Sequence, residues 1–295
     1  MTEAGTLPVQ SPLRAATYML ASAALIALST LAAKAAQVEA GLHPLQVSHA
    51  RFLFALLGLL LPLALLRPRF TRIHWGLHIT RTTCGWAGAT LMFAAAAMIP
   101  LSDATALSFL NPVFALILTI LILGERPGRW RWAATFIALT GAMVLMRPPF
   151  VSGAALELGA VLAISAAAIM GLEITIIKKL TGLERPLQML TVNNAIGLVI
   201  ASVAVSFVWQ WPAASALPYL AGVGLAMVAA QTCFIQAMRR AEASFVAPFS
   251  FTTLIFATAY DFAVYAQVPD AVSWAGIAII VTGAGLLAWR EGARG

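Results

Sequence analysis

Residues 101–147 read LSDATALSFLNPVFALILTILILGERPGRWRWAATFIALTGAMVLMR. An apolar, helix-length run carries a polar step, Asn111-Pro112, and ends in Gly124-Glu125-Arg126. A basic turn follows, then a second apolar run containing Gly141. Residues 244–289 repeat this layout: SFVAPFSFTTLIFATAYDFAVYAQVPDAVSWAGIAIIVTGAGLLAW. Gln267, Pro269 and Gly283 each stand 142 positions after Glu125, Pro127 and Gly141. His43-Pro44-Leu45-Gln46 meets Arg185-Pro186-Leu187-Gln188 at the same offset, so the repeat extends beyond the opening stretch.

The 295 residues are 61% hydrophobic and only 10% charged. Soluble domains carry about 25% charged residues. Too little polar surface remains to cover a soluble globule, so the expected solvent is lipid. The net charge of +7 does not point to nucleic acid, because the basic residues sit in short loops between apolar runs. The first apolar run has one arginine before it and no small-residue cleavage pattern, so it reads as a retained helix. Cys84 and Cys233 fall inside apolar runs and read as small buried hydrophobes.

About 20 apolar residues span a bilayer core as a helix. Ten such segments are expected: 14–36, 44–66, 75–98, 102–123, 130–147, 154–177, 186–207, 216–238, 243–265 and 271–289. The runs are continuous rather than alternating, which excludes a barrel pattern. Fifteen Lys and Arg residues fall at the termini and one set of alternate loops; Arg81 is counted with that set. The opposite loops hold only Arg147, while Lys34 and Arg51 lie within predicted helices. Positive residues stay inside, so both termini are expected in the cytoplasm of a bacterial-type inner membrane.

Five helices per half is an odd number, so the second half enters the membrane from the other side. The expected fold is all-α and integral to the membrane: ten helices as two inverted repeats, residues 1–150 and 151–295. Inverted repeats are typical of carriers, with the substrate between the halves near the midplane. One chain then closes the pathway alone, so a functional monomer is expected. Runs such as Ala94–Ala97 supply the small faces on which helices pack in lipid.

Several short motifs recur in order: Ala50-Arg51-Phe52, Leu101-Ser102-Asp103-Ala104, Leu110-Asn111-Pro112-Val113-Phe114, Gly124-Glu125-Arg126 and Ala247-Pro248-Phe249. With the duplication, the chain resembles the EamA domains of the drug/metabolite transporter superfamily over nearly its whole length. The resemblance implies a central cavity lined mainly by the first, third, fourth, sixth, eighth and ninth helices. It also implies a small-molecule cargo: amino acids, nucleotides, vitamins or other metabolites. The chain looks most like small bacterial permeases that include the YddG-type amino acid exporters. Gln267 departs from the pattern, where a glutamate is usual.

Charge inside a membrane is costly, about 2.5–3.5 kcal/mol on insertion scales, so each instance needs a reason. Arg51 reads either as an anchor for a substrate carboxylate or as the structural partner of Asp103 or Asp261. Asp261 reads as a proton carrier or the partner of a substrate ammonium, and Asp103 also as a helix-starting acid. Glu173 reads as the partner of Lys178 near the basic end, and Lys34 as a residue reaching the interface. The substrate-binding candidates are mainly neutral: Asn111 and Ser108 on the fourth helix, and Ser250, Thr253 and Tyr260 on the ninth. Gln231 joins that ring, and Trp86, with Tyr18 and Tyr260, offers a flat wall. Pro112 and Pro248 free backbone carbonyls beside these residues.

Sequence patterns for metallopeptidases, serine hydrolases and phosphate loops are absent. No catalytic residue, metal site or cofactor is expected, and an intramembrane enzyme is the remote alternative. The expected activity is secondary transport of a small metabolite by alternating access. Amino acid export is the first choice, and a vitamin or nucleoside-like cargo is the alternative.

Overall fold

A computed structural model describes residues 11–96, 98, 107–146, 158–266 and 268–292. Asp103, Arg147 and Gln267 lie outside the described residues. The elements in chain order are α1 (Pro12–Val38), α2 (Pro44–Leu66), α3 (Trp75–Ala96), α4 (Asn111–Leu123) and α5 (Arg129–Met146). There follow α6 (Leu158–Thr181), α7 (Pro186–Val205) and α8 (Leu217–Arg240). A composite element then runs through a short helix (Ala243–Val246) and a 3-10 turn (Ala247–Phe251) into α9 (Thr252–Tyr265). α10 (Ala271–Gly292) completes the order.

Seven of these are long and apolar enough to cross a membrane: α1, α2, α6, α7, α8 with its leading turn, the composite Ala243–Tyr265, and α10. α4 is a shorter apolar helix. α3 carries His78 and Arg81 in its first half, and α5 carries Arg129 and Arg131 in its first turn.

Prolines set the starts. α1, α2, α4, α7 and α8 each have proline in the first two positions. The first N–H groups of a helix lack internal partners, so proline there loses nothing. The Asn111-Pro112 step is therefore not interior to an unbroken helix. It opens α4, directly after two turn residues, Phe109 and Leu110. The composite element is interrupted in the same way around Pro248.

The helix pairing follows the repeat. α1 packs on α8 and α3 on α6; α4 packs on α6 and α9 on α1; α2 packs on α7 and α5 on α10. Exchanging each helix of the first half with the one 142 residues later maps this set onto itself. A departure is α2 against α8, which is more extensive than its counterpart, α7 against α3. At the α5–α10 crossing, a Cβ on Gly141 would lie 2.7 Å from the Ile280 nitrogen and 2.8 Å from the Gly276 oxygen. A Cβ on Gly283 would lie 3.0 Å from the Ala134 oxygen and the Ala138 nitrogen. Positions 141, 276 and 280 are 283, 134 and 138 carried through the offset, so one contact is made twice with the repeats exchanged. Backbone touches backbone at both places, as lipid-embedded helices require.

Ends are matched as well. Gly124 closes α4 in the left-handed conformation at φ +69°, and Ala266, its repeat equivalent, closes α9 at φ +54°. Glu125, buried, receives the N–H groups of Ala243 and Ser244 at 2.9 and 3.0 Å. The motif glutamate thus caps the start of the composite element. Arg131 pairs with Glu242 and donates to Ser244 at the same corner. Gln46 donates to the carbonyl of Gln210, and its repeat equivalent Gln188 accepts from the Thr71 N–H at 2.8 Å. Each glutamine ties the start of its helix to a loop of the other half.

Glu184, 5% exposed, locks the loop before α7 to the start of α3. It accepts the His74 N–H at 2.8 Å, faces His78 Nε2 at 2.9 Å and accepts from Gln188 Nε2 at 2.8 Å. Burial pushes its pKa up, but the His74 backbone bond and the two imidazoles outweigh that, so it titrates below the usual carboxylate range.

Two predictions follow from these ends and clasps. Ala266→Gly should raise the stability of the purified protein by about 0.5–1 kcal/mol and Gly124→Ala lower it, because a Cβ is strained at positive φ. Thermal unfolding in detergent measures both, and equal effects would remove the conformational argument. Glu184→Ala should cost about 1–3 kcal/mol near neutral pH, since buried imidazole is left unpaired. A depressed folded pKa means this stabilisation is complete above the ordinary glutamate value of about 4.3 and is lost as pH falls below it. The gap between wild type and variant should close on acidification.

Candidate functional site

The two interrupted helices meet. Phe109, in the break before α4, stacks on Phe251, in the break before α9, with centroids 5.9 Å apart and planes at 27°. The two residues are 142 positions apart, so equivalent positions of the two repeats touch each other. Polar residues flank the stack as matched pairs: Ser108 with Ser250, and Asn111 with Thr253. All four are half-buried. The Ser250 hydroxyl donates to the Ala247 carbonyl at 2.7 Å, and buried Thr252 donates to Phe249 at 2.6 Å, so these hydroxyls help close the 3-10 turn. Such breaks expose carbonyls that a continuous helix would cover, and inside a membrane they persist where protein or a cavity satisfies them.

Above this step, toward the Asp261 end of α9, Lys34 Nζ of α1 lies 2.9 Å from Asp261 Oδ1 and 4.3 Å from the centre of the Tyr265 ring. Arg51 is therefore not the partner of Asp261; Lys34 is. Asp261 also borders a cleft of about 540 Å³ with Leu254, Ala257, Thr258, Asp270 and Ser273. Tyr260 is half-buried on the same helix. Trp86 is 54% exposed and places its ring at the surface of α3.

A second polar layer lies across α2, α3, α6, α7 and α8. Arg81, grouped with the loop cations on sequence grounds, is inside α3 and 2% exposed. Glu173 does not pair with Lys178, which donates instead to the carbonyls of Met238 and Ala241 at 2.6 and 2.5 Å. The Glu173 carboxylate interacts electrostatically with Arg81 and Arg51, from two other helices. It faces Gly85 of α3, where a Cβ would stand 3.1 Å from both carboxylate oxygens. Asn194 donates to Gln231 at 3.2 Å and Thr82 to Asn193 at 3.3 Å, joining α7 to α8 and α3. Glu173 is eight residues from the end of α6 and Arg81 six from the start of α3. At 1.5 Å per residue these positions lie about 12 and 9 Å along their helices from the nearer end.

The structure thus gathers Arg51 and Gln231 into this layer, and Asn111, Ser108, Ser250 and Thr253 around the phenylalanine stack. The sequence reading placed Arg81 among the loop cations and Glu173 beside Lys178, and did not single out Asn193 and Asn194. Their signal was position: each lies several residues inside an apolar run rather than at its edge. Among the described residues, no group of three His, Cys, Asp or Glu side chains could hold a metal. Cys84 and Cys233 are free thiols.

Comparison with known proteins accords with this architecture. The EamA-like transporter family model matches residues 13–147 and again 157–289. A riboflavin transporter of Rhizobium johnstonii is 33% identical over 212 residues, covering 70% of this chain and 67% of its own. A riboflavin transporter of Vibrio cholerae is 29% identical over 278 residues, covering 92% and 91%. An S-adenosylmethionine uptake transporter of Rickettsia bellii is 25% identical over 242 residues, covering 81% and 82%. A protein crystal structure superposes with a TM-score of 0.76 at 17% identity, covering 94% of this chain and 98% of that one, which speaks to fold alone. With both halves of its length matched in turn, the chain belongs to the EamA-like transporter family.

Proposed function

We propose that this membrane transporter is a secondary carrier built as two inverted five-helix repeats, residues 1–150 and 151–295, that binds its cargo where the interrupted helices meet. The observation that supports this reading is the Phe109–Phe251 stack with its matched polar pairs. A two-fold between broken helices offers the same site to either side of the membrane when one repeat rocks against the other. The self-mapping helix pairing and the double family match support the inversion. Ten spans, an inner-membrane location, cytoplasmic termini and a working monomer complete the proposal.

For the cargo, the relatives' names support a vitamin or nucleoside-like metabolite: riboflavin and S-adenosylmethionine both carry a flat nitrogen heterocycle. The second reading is export of amino acids, which the nearness of guanidinium and carboxylate around Glu173 favours, since a zwitterion offers both charges.

Counterflow in proteoliposomes compares the two. Labelled riboflavin should exchange into vesicles loaded with unlabelled riboflavin, and labelled amino acids should not; the reverse result selects the second reading. Asn111→Leu should weaken apparent affinity for the exchanged cargo about tenfold to a hundredfold, since a buried polar group of the cargo left unpaired costs about 1–3 kcal/mol. Pro112→Ala should change rate more than affinity. A well-folded Asn111→Leu protein with unchanged half-saturation would move the site away from the stack.

A further inference from the structure

The layer around Glu173 leaves both donors and acceptors unmet. Nε and Nη1 of Arg81 are buried without a hydrogen-bond partner. Among the described residues, Glu173 has no ion pair within 4.0 Å and no hydrogen bond, and Arg51 only lays its guanidinium 4.3 Å from the Phe52 ring centre. Opposite charges in a low dielectric attract strongly and close on each other unless packing holds them apart. Here three helices hold them apart, and Gly85 keeps the carboxylate uncovered, since a side chain there would press on both oxygens. Glu173 and Arg51 also retain accessible surface.

The unmet groups define the missing partner. An anion would satisfy the guanidinium groups and be repelled by Glu173. A cation would do the opposite. An edge with an acceptor, a donor and a second acceptor offers each of the three groups a partner, and a cyclic imide, C(=O)–N(H)–C(=O), presents that order. Guanidinium is a planar donor suited to carbonyl oxygens, and an ionised carboxylate only accepts.

We infer that Arg81, Glu173 and Arg51 form a recognition site for the imide edge of a flat heterocycle, of the kind flavins and pyrimidinediones carry. The two ring carbonyls accept from Arg81 and Arg51, and the ring N–H between them donates to Glu173. The inference rests on the carrier reading above and names the feature of the cargo that is read. A site built to meet an N–H rejects the analogue that lacks it, because its own acceptor is then left buried and unpaired.

The test uses the full chain in detergent and in proteoliposomes, with riboflavin, uridine and their N3-methyl derivatives as probes. Quenching of flavin fluorescence and counterflow are the readouts. Wild type should bind riboflavin or uridine at least a hundredfold more tightly than the N3-methylated partner. Arg81→Gln should weaken binding of the unmethylated probe about tenfold to a hundredfold, and Glu173→Gln should narrow the preference against the methylated one. The probe comparison needs only wild type, so an unfolded variant does not spoil it. Equal binding of methylated and unmethylated probes overturns the imide site while leaving carriage of a heterocycle intact. Failure to bind any imide probe also overturns it, and counterflow with S-adenosylmethionine or amino acids then shows whether the carrier reading survives. Competition by inorganic phosphate or an α-amino acid that disappears in Arg81→Gln would assign the arginines to an anionic group and overturn the proposal.

Discussion

In hydrocarbon, a backbone N–H or carbonyl without a partner costs several kcal/mol, and no water is present to supply one. That constraint governs the molecule. Among the described residues, the long apolar runs are helical because a helix satisfies its own backbone. Among the described residues, the interruptions before α4 and within the Ala243–Tyr265 element then need an explanation in packing. The chain answers by placing the interruptions against each other, with Phe109 on Phe251, and by turning hydroxyls such as Ser250 and Thr252 onto the freed carbonyls. The start of the second interrupted element is capped by Glu125, a carboxylate reaching from the first half.

The remaining helix contacts obey the same rule from the other direction. Lipid is as apolar as a leucine side chain, so helices gain little from burying large hydrophobes against each other. They gain from approach. Gly141 and Gly283 let α5 and α10 touch backbone to backbone at two points that the repeat exchanges. Gly171 does the same for α6 against α4, where a Cβ would meet the Ala115 nitrogen at 2.8 Å. Such contacts hold the interrupted elements in register, which the stacked phenylalanines need.

Charge is placed where it can be answered. Lys34 and Asp261 answer each other across α1 and α9, and Glu184 is answered by two histidines, a glutamine and a backbone N–H. The Arg51, Glu173 and Arg81 cluster differs, because its members interact without bonding. Within a membrane an incompletely answered charge points to function rather than stability. In the proposed carrier the two polar regions divide the work, the step between the interrupted helices admitting the cargo to either side and the charged layer selecting it.

Much of this was legible in the chain itself. Composition excludes a soluble globule, and the offset of 142 announces two halves. The family motifs lie at residues that the structure gives physical tasks, Gly124 as a left-handed cap and Glu125 as a helix cap. The pairing of Ser108 with Ser250 and of Asn111 with Thr253 is arithmetic on that offset, and the structure adds the stack between them. The sequence could not show which charges meet. Arg81 looked like a loop cation because basic residues cluster near that end, and Glu173 looked like a partner for Lys178 because they stand five positions apart near one end of a helix. Local spacing reports neighbours on one helix, whereas Arg51, Arg81 and Glu173 come from three. Periodicity and duplication are properties of the chain and survive in one dimension; the partner of a buried charge depends on how helices cross, and only the tertiary structure decides that.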